Sequence, residues 1–172
     1  MWQRIDIYDS IHSRMQQNNA LAMMKDSDYM VDHPELFLPD RYLFLDGVAQ
    51  SSRHGNAAYH ESLTQPALFT HKNPKRVAII GGGECATLRE VLKHNTVEKV
   101  VMIEIDQVMM DTARSFLLEW NDCSDLEGSN GNCIDDPRAE IYAEDAFKWF
   151  ADRYSTPDSG EEPFDVIIMD AL

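Results

Sequence analysis

Residues 75–106, KRVAIIGGGECATLREVLKHNTVEKVVMIEID, constrain this chain more than any other stretch. The apolar run Val77, Ala78, Ile79, Ile80 breaks on three consecutive glycines, Gly81, Gly82 and Gly83. Helix-forming sequence comes next, with Leu88, Val91 and Leu92 on one face and Arg89, Glu90 and Lys93 elsewhere. A second apolar run, residues 100–105, carries Glu104 near its end. Strand, glycine turn, helix, strand is one βαβ unit. Read as G-x-G-x-x-G/A, the small positions are Gly81, Gly83 and Ala86, and Glu104 lies 21 residues past Gly83. An acid at about that distance is where a Rossmann-type unit holds a ribose hydroxyl. The pattern predicts a nucleotide or nucleoside site; the plainer alternative is a structural turn whose Glu104 caps a strand.

The remaining elements fall in place around that unit. A net charge of −15 argues against nucleic acid and anionic membrane as partners and favours a cationic small molecule. Apolar content of 44% suffices for a core, and no apolar run is long enough to span a bilayer. The three cysteines, Cys85, Cys123 and Cys133, form no C-x-x-C pair, and the start MWQRIDIYDS is not a signal peptide. A reducing, cytoplasmic setting is the expectation.

In the first 36 residues, Ile7, Ile11 and Met15 sit at helical spacing. LFLPDRYLFLDG reads as two short β-like runs around Pro39-Asp40, and Asp46-Gly47 as a hairpin turn, with residues 48–52 pairing back. Asn56 is a helix N-cap candidate, and Pro66 and Pro74 punctuate the stretch between it and Lys75. Residues 108–120 are expected to be helical, residues 121–137 a mobile surface loop, and 139–143 a strand followed by Asp145. In the helix after Asp145, Phe147 and Phe150 share one side. Residues 164–169 are a strand buried on both faces, ending in Asp170. In an open α/β sheet ligands gather at the carboxyl ends of the strands, where residues 81–84, Glu104, Asp145 and Asp170 all fall. No second His or Cys stands at ligand spacing from His60, so no metal site is expected.

The blocks LFLDGVAQ, AYHESLTQPAL, RVAIIGGGECATLREVLKH, VEKVVMIEID, DPRAEIYAEDAFKWF and FDVIIMDA resemble the polyamine aminopropyltransferases, the spermidine and thermospermine synthases. The resemblance runs from about Ser27 to the last residue. It implies a small N-terminal β-rich domain, residues 1–55, and a Rossmann-like, methyltransferase-type parallel sheet, residues 56–172: an α/β fold. It implies transfer of an aminopropyl group from decarboxylated S-adenosylmethionine to an amine, putrescine or spermidine, releasing methylthioadenosine, with the donor as co-substrate and no tightly bound cofactor. By position, Gly81, Gly82, Gly83, Glu84, Glu104, Asp145, Ala146 and His60 would hold the donor, Glu104 at the ribose and Asp145 at the adenine amine. Tyr59 and Asp170 would bind the acceptor, with Asp170 taking the proton of the attacking amine. Taken singly, Asp170 could equally cap a strand end and Tyr59 pack on an amphipathic helix. Glu84 would attract the ammonium of a decarboxylated tail and repel the carboxylate of an intact one.

The departures define the alternatives. The family's Asp-Glu pair ahead of the Tyr reads Gly55 and Asn56 here, a donor-binding Gln reads Met30, and the turn carries Cys85 where Gly is usual. The family pattern continues past Asp170 with another acid, further strands and an amine-binding Tyr. The chain is therefore expected to be the front portion of a longer protein that is a homodimer at full length, and to be inactive alone. The other readings are a non-catalytic scaffold or partner subunit and an S-adenosylmethionine-dependent methyltransferase; a dehydrogenase is more distant.

Overall fold

The computed structural model describes residues 3–11, 13–156 and 160–171. The chain divides into two compact units, one built from residues 3–55 and the other from residue 56 onward. In the first, β1 (Ile5–Ser10) is followed by α1 (Ser13–Lys25), α2 (Tyr29–Asp32), a 3₁₀ turn (Pro34–Phe37), β2 (Asp40–Leu45) and β3 (Val48–Ser52). The strands form an antiparallel sheet in the order β1-β2-β3. Asp46 and Gly47 close the β2–β3 hairpin with φ of 50° and 80°. Two positive φ values are what a tight turn needs to match the twist of its strands. Leu43 on β2 is fully buried.

Two expectations for this unit are corrected. Ile7, Ile11 and Met15 do not share a helix: Ile7 lies in β1 opposite Leu43, and the helix begins at Ser13. Pairing with β2 overrides the local spacing there. The stretch before Pro39 is a 3₁₀ turn rather than a β run, because Pro34 fixes φ and offers no N–H to a ladder.

The second unit runs α3 (Asn56–Thr70), β4 (Arg76–Gly81), α4 (Ala86–Leu92), β5 (Lys99–Glu104), α5 (Gln107–Phe116), two 3₁₀ turns (Leu118–Trp120 and Cys133–Asp135), β6 (Ala139–Ala143), α6 (Ala146–Tyr154) and β7 (Val166–Asp170). Its four strands are all parallel, in the order β6-β5-β4-β7. Helices between parallel strands make this an α/β, Rossmann-like sheet. β4 and β5 form its centre, with Val77, Ala78, Ile79, Val100, Met102 and Ile103 at most 1% exposed.

Here too the structure departs from expectation at particular residues. Pro66 lies inside α3, which continues to Thr70. Burial of Leu68 and His60 on one flank holds the helix together around it. On α6 the buried residue is Trp149, packed with Tyr142, Phe150, Tyr154 and Phe164, while Phe147 points to solvent. β7 alternates: Val166 and Ile168 are buried but Ile167 and Met169 are more than half exposed. The strand is an edge of the sheet among the described residues, and the face that carries Ile167 and Met169 is left exposed by them. The loop expected to be mobile is fastened by a Cys123–Cys133 disulfide, a bridge between Asp122 and Asn132, and buried Asn121 and Asp136. The sequence assigned no pairing to these cysteines. Among the described residues no helix is long and apolar enough to cross a membrane.

Candidate functional site

The glycine turn is shaped by what it touches. Gly81 and Gly82 have φ of 82° and 78°, a region that L side chains avoid. A Cβ on Gly81 would collide with the Asp170 carbonyl oxygen. Gly82 N–H donates to that same oxygen at 2.9 Å. The turn after β4 thus sits directly on the end of β7, and only glycine permits the approach. A Cβ on Gly83 would meet Met109 at 2.7 Å and the Glu104 carboxylate at 3.1 Å. Cys85, where the family usually has Gly, is fully buried and still adopts a φ of 68°. It directly precedes α4, and burial raises the pKa of its thiol, which stays protonated and inert.

Three side chains from three elements converge beside this turn. His60 from α3, Glu84 from the turn and Asp170 from β7 bring ligand atoms within 4.8 Å of one another. His60 is completely enclosed, with Nδ1 2.6 Å from the Asn56 carbonyl oxygen and Nε2 3.0 Å from Glu84 Oε1. Thr87 on α4 donates its hydroxyl to Asp170 Oδ2 at 2.6 Å. Burial raises the Asp170 pKa and the charge of Glu84 raises it further, against Thr87 and His60, which lower it. For His60 burial lowers the pKa, but the hydrogen bond and charge of Glu84 outweigh it and the net direction is up. Tyr59 is half exposed, edge-on to the His60 ring at 4.9 Å. One histidine and two carboxylates at this separation could also hold a divalent cation. The linear spacing could not reveal that set, because the fold assembles it.

The residues expected to hold the nucleoside lie along the carboxyl ends of the same sheet. Glu104 ends β5, 8% exposed, and its Oε1 accepts the Asp106 N–H at 2.8 Å. Burial raises its pKa, with amide hydrogen bonds from Asp106 and Ile105 working against the rise. Its carbonyl accepts from Glu144 N–H at 3.1 Å, which ties the ends of β5 and β6 together. Asp145 comes after β6 and caps α6, accepting the Lys148 N–H at 3.2 Å; Ala146 is the first residue of that helix. The fold therefore brings Tyr59, His60, Glu84 and Asp170 into one group on the glycine turn, with Glu104 beneath Gly83. It leaves Asp145 and Ala146 one strand further along.

Sequence reasoning missed Thr87, whose only signal is its place on the first turn of the helix after the glycines. It also missed Arg89, which is 8% exposed. This residue reaches Asn56 Oδ1 at 2.8 Å, Glu90 Oε1 at 2.9 Å and the Glu119 and Trp120 carbonyls. Asn56, the N-cap candidate, is the first residue of α3, and its Oδ1 accepts from Arg89.

Residues 56–172 match the model of the spermine/spermidine synthase domain. The chain is 48% identical over 128 residues to polyamine aminopropyltransferase 1 of Hyperthermus butylicus, covering 74% of this chain and 39% of that protein. It is 44% identical over 132 residues to the polyamine aminopropyltransferase of Aeropyrum pernix, covering 77% and 37%. Among solved structures, spermidine synthase from Thermotoga maritima superposes with a TM-score of 0.64 at 37% identity, over 77% of this chain and 40% of that one. A spermidine synthase determined in complex with the transition state analogue AdoDATO gives 0.64 at 36% identity, over 77% and 39%. The chain spans two fifths or less of the length of each of these relatives.

Proposed function

We propose, because this chain belongs to the spermine/spermidine synthase domain family, that it carries the donor site and the proton-accepting acid of an aminopropyltransferase. The reaction moves an aminopropyl group from decarboxylated S-adenosylmethionine to putrescine or spermidine. The observation that carries this reading is the group His60, Glu84 and Asp170 beside a glycine turn at the carboxyl ends of a parallel sheet. In this reading Glu104 holds the ribose, Asp145 and Ala146 the adenine, and Gly81, Gly82 and Gly83 let the nucleoside approach the backbone. Tyr59 lines the acceptor channel. The amine lone pair forms the new N–C bond as the C–S bond breaks. The electron pair goes to sulfur, methylthioadenosine leaves, and the amine proton passes to Asp170. A carboxylate with a raised pKa suits that last role. The sulfonium is a good leaving group already, so positioning does most of the remaining work.

An intact S-adenosylmethionine tail carries a carboxylate that would face acids in this pocket, which counts against the methyltransferase reading. The net charge of −15 supports a small polyamine cation as acceptor. The same reading takes residues 1–55 as an N-terminal β-rich domain, the full-length assembly as a homodimer, and the cytoplasm as its compartment. A reducing compartment would have to leave the Cys123–Cys133 bond intact, and both cysteines are buried from a reductant. Calorimetric titration of the chain with methylthioadenosine, S-adenosylmethionine and the decarboxylated donor tests the proposal. The decarboxylated donor should bind more tightly than the intact one, and Glu104→Gln should remove nucleoside binding. Preference for the intact cofactor would return the site to methyl transfer.

A further inference from the structure

The segment that links α5 to β6 has no core of its own. Of residues 124–132 only Leu126 is apolar, glycine aside. Gly128 and Gly131 lie at positive φ with nothing within 4 Å of where a Cβ would stand. Such a stretch cannot hold its shape by burying side chains. Its order comes from its two ends, through the Cys123–Cys133 bond and the amides beside it. Cys123 N–H donates to the Gly131 carbonyl and Cys133 N–H to that of Asn121, each at 2.9 Å.

The fastened end leads directly to a buried guanidinium. Arg89 Nη1 donates to the carbonyl of Glu119 at 2.9 Å and to that of Trp120 at 3.3 Å. Its Nη2 donates to Asn56 Oδ1 at 2.8 Å, on the first residue of α3. Tyr59 and His60 stand on the first turn of that helix. Arg89 is 8% exposed and Asn56 5%. A buried cation left without its acceptors is costly, so the two carbonyls, the guanidinium and Asn56 hold position together.

We propose that the Cys123–Cys133 bond is a redox latch: through Arg89 it fixes the first turn of α3, and its reduction weakens donor binding. The reductant is a dithiol of the thioredoxin class. It gives two electrons and two protons, the S–S bond becomes two thiols, and the dithiol becomes a disulfide. Cys123 and Cys133 are buried, so attack on the bond follows local opening of the polar segment above it. The choice of ligand rests on the aminopropyltransferase reading; the mechanical link from the bond to α3 does not.

The full chain, oxidised and after treatment with dithiothreitol, provides the test. Reduction should raise amide exchange on the first turn of α3 as well as in residues 121–136, with far-UV circular dichroism still that of a folded chain. In calorimetry the decarboxylated donor, whose ammonium-bearing tail reaches Tyr59 and Glu84 in this reading, should bind on the order of fivefold more weakly. Methylthioadenosine, which lacks that tail, should change by less than about twofold. Cys123→Ser with Cys133→Ser should match the reduced chain in each respect. Arg89→Lys in the oxidised chain should reproduce the weaker donor binding, and reduction should then add little. Equal weakening of both ligands would place the effect on α5, whose Ala113 and Leu117 carbonyls accept from Asn121, and would overturn the route through Arg89.

Linkage supplies a check that needs no variant. Saturating donor should raise the ratio of reduced to oxidised dithiothreitol at half-reduction by the same factor, about fivefold. A midpoint indifferent to donor would sink the latch. If neither nucleoside binds in any form, the aminopropyltransferase reading fails, and amide exchange decides the latch by itself: protection on α3 unmoved by reduction would refute it.

Discussion

Burial and the charge of Glu84 raise the pKa of Asp170, while the Thr87 hydroxyl, 2.6 Å from Oδ2, and His60 lower it. An acid must be ionised to accept a proton, so the rate should climb with pH through a value above the ordinary 3.8 of aspartate. Thr87→Val removes one of the two groups that favour the ionised form. The acid limb of the pH–rate profile should therefore move up, and a carboxyl ¹³C titration of Asp170 should move with it. An unmoved titration would mean that the hydroxyl donates elsewhere. Asp170→Asn cannot take the proton at all. In an assay-competent form of the protein it should lower turnover by about 10²- to 10⁴-fold with donor affinity nearly unchanged. Near-normal turnover would remove Asp170 from the chemistry.

The glycine turn and the loop after α5 show how differently sequence reports two elements. Gly81→Ala should cost about 2–4 kcal/mol in urea unfolding, because the new Cβ meets a backbone oxygen in a left-handed conformation. Gly47→Ala, also at positive φ but with nothing within 4 Å, should cost only about 1–2 kcal/mol. Equal costs would show that the contact with Asp170 is unimportant. The turn was legible in the sequence because three adjacent glycines between an apolar run and a helical pattern have few other uses. β4, β5 and β6 were legible for the same reason, as short apolar runs with chain-reversing sequence at their ends. What stayed hidden depends on partners far along the chain. β1 is a strand through its pairing with β2, Pro66 is tolerated through burial of its helix, and Arg89 and Glu90 are buried because they satisfy each other. His60, Glu84 and Asp170 meet only when three elements are in place. The disulfide is of this kind as well, since a polar segment rich in Gly, Asn and Ser says nothing about which cysteines it joins. For a closed loop of this length, with a sequence separation of 10, replacing both cysteines by serine should lower stability by about 3 kcal/mol. A melting temperature unchanged between oxidised and reduced protein would contradict that.

Across the molecule as a whole, the sheet is uneven. Its centre is sealed on both faces, but β7 presents Ile167 and Met169 at 54% and 58% exposure on an edge strand. An unpaired edge with apolar side chains is a template for another chain. Sedimentation velocity should show concentration-dependent self-association of this chain, and Ile167→Lys with Met169→Lys should suppress it. A monodisperse parent chain at high concentration would disprove this. The strand order carries one more consequence. Of the four strands described, β4 is the first to be made and β7 the last, yet they lie side by side, pairing Val77 with Val166 across 89 residues of chain. The glycine turn takes its shape against the Asp170 carbonyl. On a ribosome, then, the turn has nothing to settle on until residue 170 has emerged, although its own residues appeared far earlier. Such a long closure is slow for reasons of chain entropy. The shape of the glycine turn is thus a late event of biosynthesis, reached only after residue 170 has been made.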